Sequence, residues 1–119
     1  MTDIAQPTDP EDVKIITLAR AALARTSADQ GACLRDTDGR TYAAATVQLE
    51  HLQLSAIQVA VAMAVSSGAQ GVEAVAVAGG EEPSADDVHA IGDLAASTAE
   101  SEAGGVRIWR TDADGVVRG

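Results

Sequence analysis

The chain has almost no large aromatic side chains. Among 119 residues there is one Trp, one Tyr and no Phe. A core must then be filled by Ala, Val, Leu and Ile, which let helices and strands approach closely but bury little area each. At roughly 25 cal/mol per Å² of apolar surface, such a core stabilises a lone 12.0 kDa chain weakly. Burial of further surface by self-association is expected. Cysteine is nearly absent as well. Cys33 stands alone, which excludes an internal disulfide and a zinc site built mainly of thiolates from one chain. Lysine is represented by Lys14 only, and eight cations face eighteen acids for a net charge of −10. No basic patch interrupts this acidity, and like charge disfavours phosphate backbones and anionic lipid surfaces as partners. No cationic-then-apolar leader opens the sequence, and the longest apolar stretch, Leu54 to Val65, is too short to span a bilayer. A cytoplasmic location with neither membrane nor nucleic-acid partners is expected.

What is present reads as alternating helices and strands. Residues 1–8 are polar and expected to be loose, with one domain over 9–119. Asp9-Pro10-Glu11-Asp12 is a helix start: a capping acid, a proline suited to the first position, and acids that complement the dipole. Val13, Ile16, Ala19 and Leu23 recur at helical spacing, widened by Ile15, Leu18 and Ala22. Gly31 to Arg35 and Arg40 to Val47 form a predicted hairpin around Asp36-Thr37-Asp38-Gly39. The latter lacks the third oxygen ligand and the distal Glu of a calcium loop and reads as a plain turn. A connector over 48–53 leads to a helix from Leu54 to Gly68, apolar nearly all round.

Val72 to Ala78 is a buried-strand pattern, followed by a Gly79-Gly80-Glu81-Glu82 loop whose acids argue against phosphate binding. A third helix is predicted from Pro83 or Ser84 through Val88, Ile91 and Leu94 to about Thr98. An acidic loop over 99–105, a strand over Val106–Arg110, a turn at 112–115 and a short strand at Val116-Val117 complete the order α-β-β-α-β-α-β-β. Strands joined through helices favour a mixed sheet with helices on its faces.

Three segments resemble the cytidine deaminase family. Asp38-Gly39-Arg40-Thr41-Tyr42-Ala43-Ala44-Ala45-Thr46-Val47-Gln48 is similar to its D-G-R-x-Y-x-G-x-N-V-E strand. Leu52 to Gly68 resembles its L-T-L-C-A-E-R-x-A-x-x-x-A-V-S-x-G helix. Pro83-Ser84-Ala85-Asp86-Asp87 falls where the family carries P-C-x-x-C. The resemblance covers roughly residues 10 to 117. It implies a three-layer α-β-α fold with a mixed five-stranded sheet and helices on both faces.

The departures from the family lie in the residues that do chemistry. Zinc deaminases hold the metal with His/Cys/Cys or three Cys, and a Glu two residues after the first ligand shuttles protons. Here the ligand positions are Ser55, Ser84 and Asp87, and the proton-shuttle position is Ile57. Neutral hydroxyls are poor zinc ligands, and Ile57 moves no proton. The resemblance therefore implies no bound zinc and no catalytic residue. The strand Asn and Glu that grip ribose in the family match Thr46 and Gln48, which leaves a weakened, vestigial ligand site, and the connector before Ser55 is shorter than the family's.

The expectation is a non-catalytic, deaminase-like protein acting by binding or assembly, as a homodimer or homotetramer through helix 54–68, with an unidentified protein partner also open. Its rivals are a zinc-dependent cytidine or deoxycytidine deaminase with an unorthodox site, and a nucleoside or nucleotide sensor. An alternative metal set from His51, His89 and Asp87, with Cys33 nearby, has no supporting spacing. Cys33 reads as a small buried residue, and Trp109 as core or interface.

Overall fold

The computed structural model describes residues 6–95, 106–114, 116 and 117. Helix α1 spans Pro10–Thr26 and is capped by Asp9, whose Oδ1 accepts the Glu11 N–H at 2.8 Å. Strands β1 (Gly31–Asp36) and β2 (Thr41–Ala45) form the expected hairpin. Short strands β3 (Val47–Gln48) and β4 (Gln53–Leu54) precede helix α2 (Ala56–Ser66). Strand β5 (Val72–Ala78), helix α3 (Ala85–Ala95) and strand β6 (Arg107–Thr111) follow.

The main sheet runs β2-β1-β5-β6. β1 is antiparallel to both neighbours, and β5 and β6 are parallel, so the sheet is mixed. Successive side chains alternate between its faces. Leu34, Val75 and Val77 meet Ile57, Ala60, Ala64, Ile91 and Leu94 of α2 and α3 on one face. Cys33, Ala74, Ala76, Ala78 and Trp109 meet Ile15, Ile16 and Ala19 of α1 on the other. These are the three layers the resemblance implies. Small residues set the close spacing: a Cβ on Gly31 would fall 2.1 Å from the Ala19 carbonyl oxygen.

Several details differ from the sequence reading. The sheet has four strands among the described residues, and the expected fifth, Val116-Val117, contributes one bridge from Val117 to Thr111. The reason is local: Asp112 Oδ1 accepts the N–H groups of Asp114 and Val116, which draws Val116 into the turn. The second hairpin strand stops at Ala45: the Thr46 N–H still donates to the Gln30 carbonyl in register, but the Gln30 N–H donates to the Thr46 hydroxyl. The expected connector is instead a ribbon in which β3 pairs antiparallel with β4.

Helix α2 starts two residues later than expected and buries one face only, through Ala56, Ile57, Ala60 and Ala64. Met63 and Val65 are exposed. Val13 and Val88, expected on buried stripes, are exposed too. The loose N-terminus is expected mainly in residues outside those described, as are the end of the third helix near Thr98 and the 99–105 loop.

A buried ionic tie crosses the α1 face. Arg35 on β1 pairs with Asp12 of α1 at 3.0 Å and Glu73 of β5 at 2.9 Å. Burial alone lowers the Arg35 pKa, but hydrogen bonds and charge from Glu73 and Asp12 raise it above its ordinary value. At the hairpin end, buried Asp36 accepts the Tyr42 hydroxyl at 2.9 Å and the N–H groups of Asp38 and Arg40. That carboxylate holds the Tyr42 pKa up, with burial adding to it.

Candidate functional site

Two helix N-termini converge beside the C-terminal end of β5. The first is that of α2. Ser55 caps it, its Oγ accepting the Gln58 N–H at 3.0 Å while the Gln58 side chain accepts the Ser55 N–H at 2.9 Å. This is a reciprocal capping box. The second is that of α3. Ser84 Oγ accepts the Asp87 N–H at 3.1 Å, and Asp87 Oδ2 accepts the Ser84 N–H at 3.1 Å. The two caps are joined to each other: the Ser55 hydroxyl donates to Asp87 Oδ1 at 2.5 Å.

Asp87 is therefore the hub. It is 5% exposed, and both of its carboxylate oxygens are engaged. The positive ends of two helix dipoles favour one negative charge there. The positions matched to the family's three metal ligands are thus brought together as Ser55, Asp87 and Ser84. Ile57, at the proton-shuttle position, is fully buried within the core formed by α2, α3 and the sheet.

An open cleft of about 770 Å³ lies against this cluster, lined in part by Thr46, Gln48, Gln53, Ser55 and Asp87. Thr46 and Gln48, the expected ligand-binding pair, both border it, but in different states. The Thr46 hydroxyl is engaged with Gln30, accepting its N–H at 3.1 Å and donating to its carbonyl at 3.3 Å. Gln48 is exposed on the ribbon. Asp29, Glu81 and Glu82 also line the cleft, and among the described residues no Lys or Arg does. Its wall is acidic and unsuited to phosphate.

Gln30 was not anticipated from the sequence. Besides holding Thr46, its side-chain amide donates to the Glu81 carbonyl at 2.7 Å. It packs so closely on Gly80 that a Cβ there would meet Gln30 Cγ at 2.4 Å. Gly79 and Gly80 take positive φ of 72° and 64°, which glycine permits. Gln30 thereby ties three parts of the cleft rim. No local pattern announces it, since its partners lie 16 and 51 residues away. Ser84 was expected to open the third helix, whereas Ser55 was placed inside a helix starting at Leu54, although Ser-x-x-Gln is a local capping signal that could have marked it.

The alternative metal residues are dispersed. His51 is exposed on the β3–β4 turn and His89 is exposed on α3, whereas Cys33 is buried on the α1 face of the sheet. Among the described residues no group of three His, Cys, Asp or Glu side chains is arranged to hold a metal ion. Burial pushes the Cys33 thiol up to about 11. Trp109 is a core residue, with the Arg107 guanidinium 4.1 Å from its ring centroid. No helix among the described residues is long and apolar enough to cross a membrane.

The family described as cytidine deaminase-like matches residues 8–106 of the chain. The fold is similar to that of cytidine deaminase from Burkholderia pseudomallei, with a TM-score of 0.71 at 22% identity over 89% of this chain and 88% of that one. Cytidine deaminase from Mycobacterium tuberculosis gives 0.65 at 18% identity over 86% and 85%. The enzyme from Mycobacterium leprae gives 0.61 at 17% over 73% and 82%. No curated protein sequence matches the chain significantly.

Proposed function

Since this chain belongs to the cytidine deaminase-like family, we propose that it is a non-catalytic member, cytoplasmic, that acts by binding or assembly. The observation that carries this reading is the Ser55–Asp87–Ser84 cluster, together with an Ile57 that is buried in the sheet–helix core. The cluster's donors do not suit zinc. Two are neutral hydroxyls, which are not the thiolate, imidazole or carboxylate ligands of zinc sites. The third is a carboxylate whose two oxygens already accept hydrogen bonds. A site of three thiolates and Zn²⁺ carries one net negative charge, and Asp87 supplies the same charge without a metal. It joins the two helix starts that the metal would otherwise join. Ile57, at the shuttle position, cannot itself exchange a proton with a base, and loss of such a group typically costs 10²–10⁴-fold.

The test is metal analysis of protein purified without chelator, together with ammonia release from cytidine and deoxycytidine. The expected result is no stoichiometric zinc and no turnover. Zinc with turnover overturns the reading in favour of an unorthodox deaminase.

Assembly is proposed to be with itself, as a homodimer or homotetramer through α2. The support is the uncharged, exposed side of that helix, which carries Met63 and Val65. Sedimentation at micromolar concentration checks it.

The open cleft favours a second reading, ligand binding without turnover. Its acidic wall directs that reading to nucleosides rather than nucleotides. Thermal shift against a nucleoside panel tests it: stabilisation lost in Gln48→Ala supports sensing, and a flat panel removes it.

A further inference from the structure

The net charge of −10 is not spread evenly. Between Asp12 and Asp29 the chain holds no acid and three of its eight cations, Lys14, Arg20 and Arg25. Most of that stretch is α1. Along the sequence the three cations are spaced too widely to read as a basic patch, and the helix closes the spacing. Its inner side is Ile15, Ile16, Ala19 and Ala22, and all three cations are exposed. Lys14 and Arg25 are about three turns apart, roughly 16 Å at 1.5 Å per residue. The helical layer across the sheet differs: α2 carries no charged side chain, and α3 carries Asp86, Asp87 and Asp93 with no Lys or Arg.

Among the described residues none of these three cations is in an ion pair. By contrast, Arg35 holds Asp12 and Glu73, and Arg110 lies 3.8 Å from Glu82. Arg25 has a local role in the last turn, where it complements the helix dipole. Lys14 and Arg20 lie outside that turn and have no such role. The rest of the outer side is uncharged: Val13, Thr17, Ala21 and Ala24 are all exposed. Side chains this small let a second helix approach closely. Arg107, whose guanidinium covers Trp109, adds a further cation on the α1 face of the sheet.

We propose that the outer side of α1 docks an acidic helical segment of another protein, whose carboxylates pair with Lys14, Arg20 and Arg25 while its backbone closes over Ala21 and Ala24. Charge complementarity selects the partner. A short acidic helix meets the local cations, whereas a long polyanion also meets the acidic remainder of a chain carrying −10. Phosphates also gain nothing from Val13, Ala21 and Ala24, so the surface suits a protein segment better than a nucleic acid. α1 and α2 pack on opposite faces of the sheet. The docking side of α1 therefore stays open in an assembly through α2, and the proposal does not depend on that assembly.

The probe is a fluorescein-labelled amphipathic peptide with Ala and Leu along one helix face and Glu along both its borders. Fluorescence anisotropy at low salt is expected to show binding that weakens as salt is added. Arg20→Glu is expected to weaken it about tenfold or more, and Arg40→Glu, the same charge change at an exposed turn residue, less than about twofold. Ala21→Trp alters no charge and is also expected to weaken binding about tenfold, because it holds the peptide off the helix. Thermal melts check that each surface variant is folded. The proposal is overturned if the peptide does not bind, if Arg40→Glu costs as much as Arg20→Glu, or if Ala21→Trp binds like the unmodified chain. Tighter binding of a DNA duplex than of the peptide overturns it in favour of a nucleic-acid surface. Dissociation of a homo-oligomer by Arg20→Glu in sedimentation overturns it in favour of a second copy. A monomeric unmodified chain that binds the peptide removes only the α2 assembly.

Discussion

The Ser55 hydroxyl donates a 2.5 Å hydrogen bond to the Asp87 carboxylate, and in doing so joins the first turn of α2 to the first turn of α3. The residues are 32 apart in sequence. Each is also half of a local cap, so one carboxylate serves two helix starts and the contact between them.

That triple role makes Asp87 more costly to remove than either serine. Ser84→Ala loses a cap and is expected to cost about 1 kcal/mol. Asp87→Ala loses charge-assisted bonds at a buried position and is expected to cost about 2–3 kcal/mol. Urea denaturation measures both. A double-mutant cycle of Ser55→Ala with Asp87→Ala is expected to show coupling of about 1 kcal/mol or more. Additive costs contradict a direct bond.

Reinstating an acid at the shuttle position does not reinstate chemistry. Ile57 is 0% exposed and packed within the sheet–helix core. Ile57→Glu places an unpaired carboxyl there and is expected to destabilise by about 3 kcal/mol or more. No ammonia release from cytidine is expected from the variant. Thermal melts and the ammonia assay read the two outcomes separately.

Cys33 sets an alkaline limit on stability. Its thiol is raised from 9.0 to about 11 by burial. Below pH 9 the thiol is protonated in both the folded and the unfolded chain and stability does not change on its account. Between pH 9 and 11 the unfolded chain releases this proton and the folded chain keeps it, so stability falls as pH rises. The loss is about 2–3 kcal/mol across the window at 1.36 kcal/mol per pKa unit. Urea midpoints from pH 8 to 11 should show a shallower decline in Cys33→Ala. In native protein at neutral pH, a thiol reagent is expected to label Cys33 only after denaturant is added.

Arg35 ranks the ionic tie. The guanidinium side chain is 9% exposed, Asp12 is 18% and Glu73 is 50%. Arg35→Ala strands Asp12 against the sheet and is expected to cost about 2–4 kcal/mol. Glu73→Ala removes a half-exposed partner and is expected to cost less than about 1 kcal/mol. Equal costs contradict the burial argument.

Much of this molecule was legible in the amino-acid order. Asp9-Pro10 announced α1, the Val72–Ala78 run announced β5 from end to end, and Asp38-Gly39 announced the hairpin turn. These signals are local: a cap, a continuous apolar run, a glycine free to take φ of 86°. The family and its departures at Ser55, Ile57, Ser84 and Asp87 were legible too, because motif spacing survives in the chain. Tertiary structure alone decided what those residues do now. The serines became caps and Asp87 became their common acceptor because two helix starts, distant in sequence, meet in space. Thr46 was drawn off by Gln30, the ribbon formed where a connector was expected, and α2 kept one apolar side in the open. Each outcome depends on which partner the fold brings within hydrogen-bonding or packing distance, and residue order along the chain does not specify that distance.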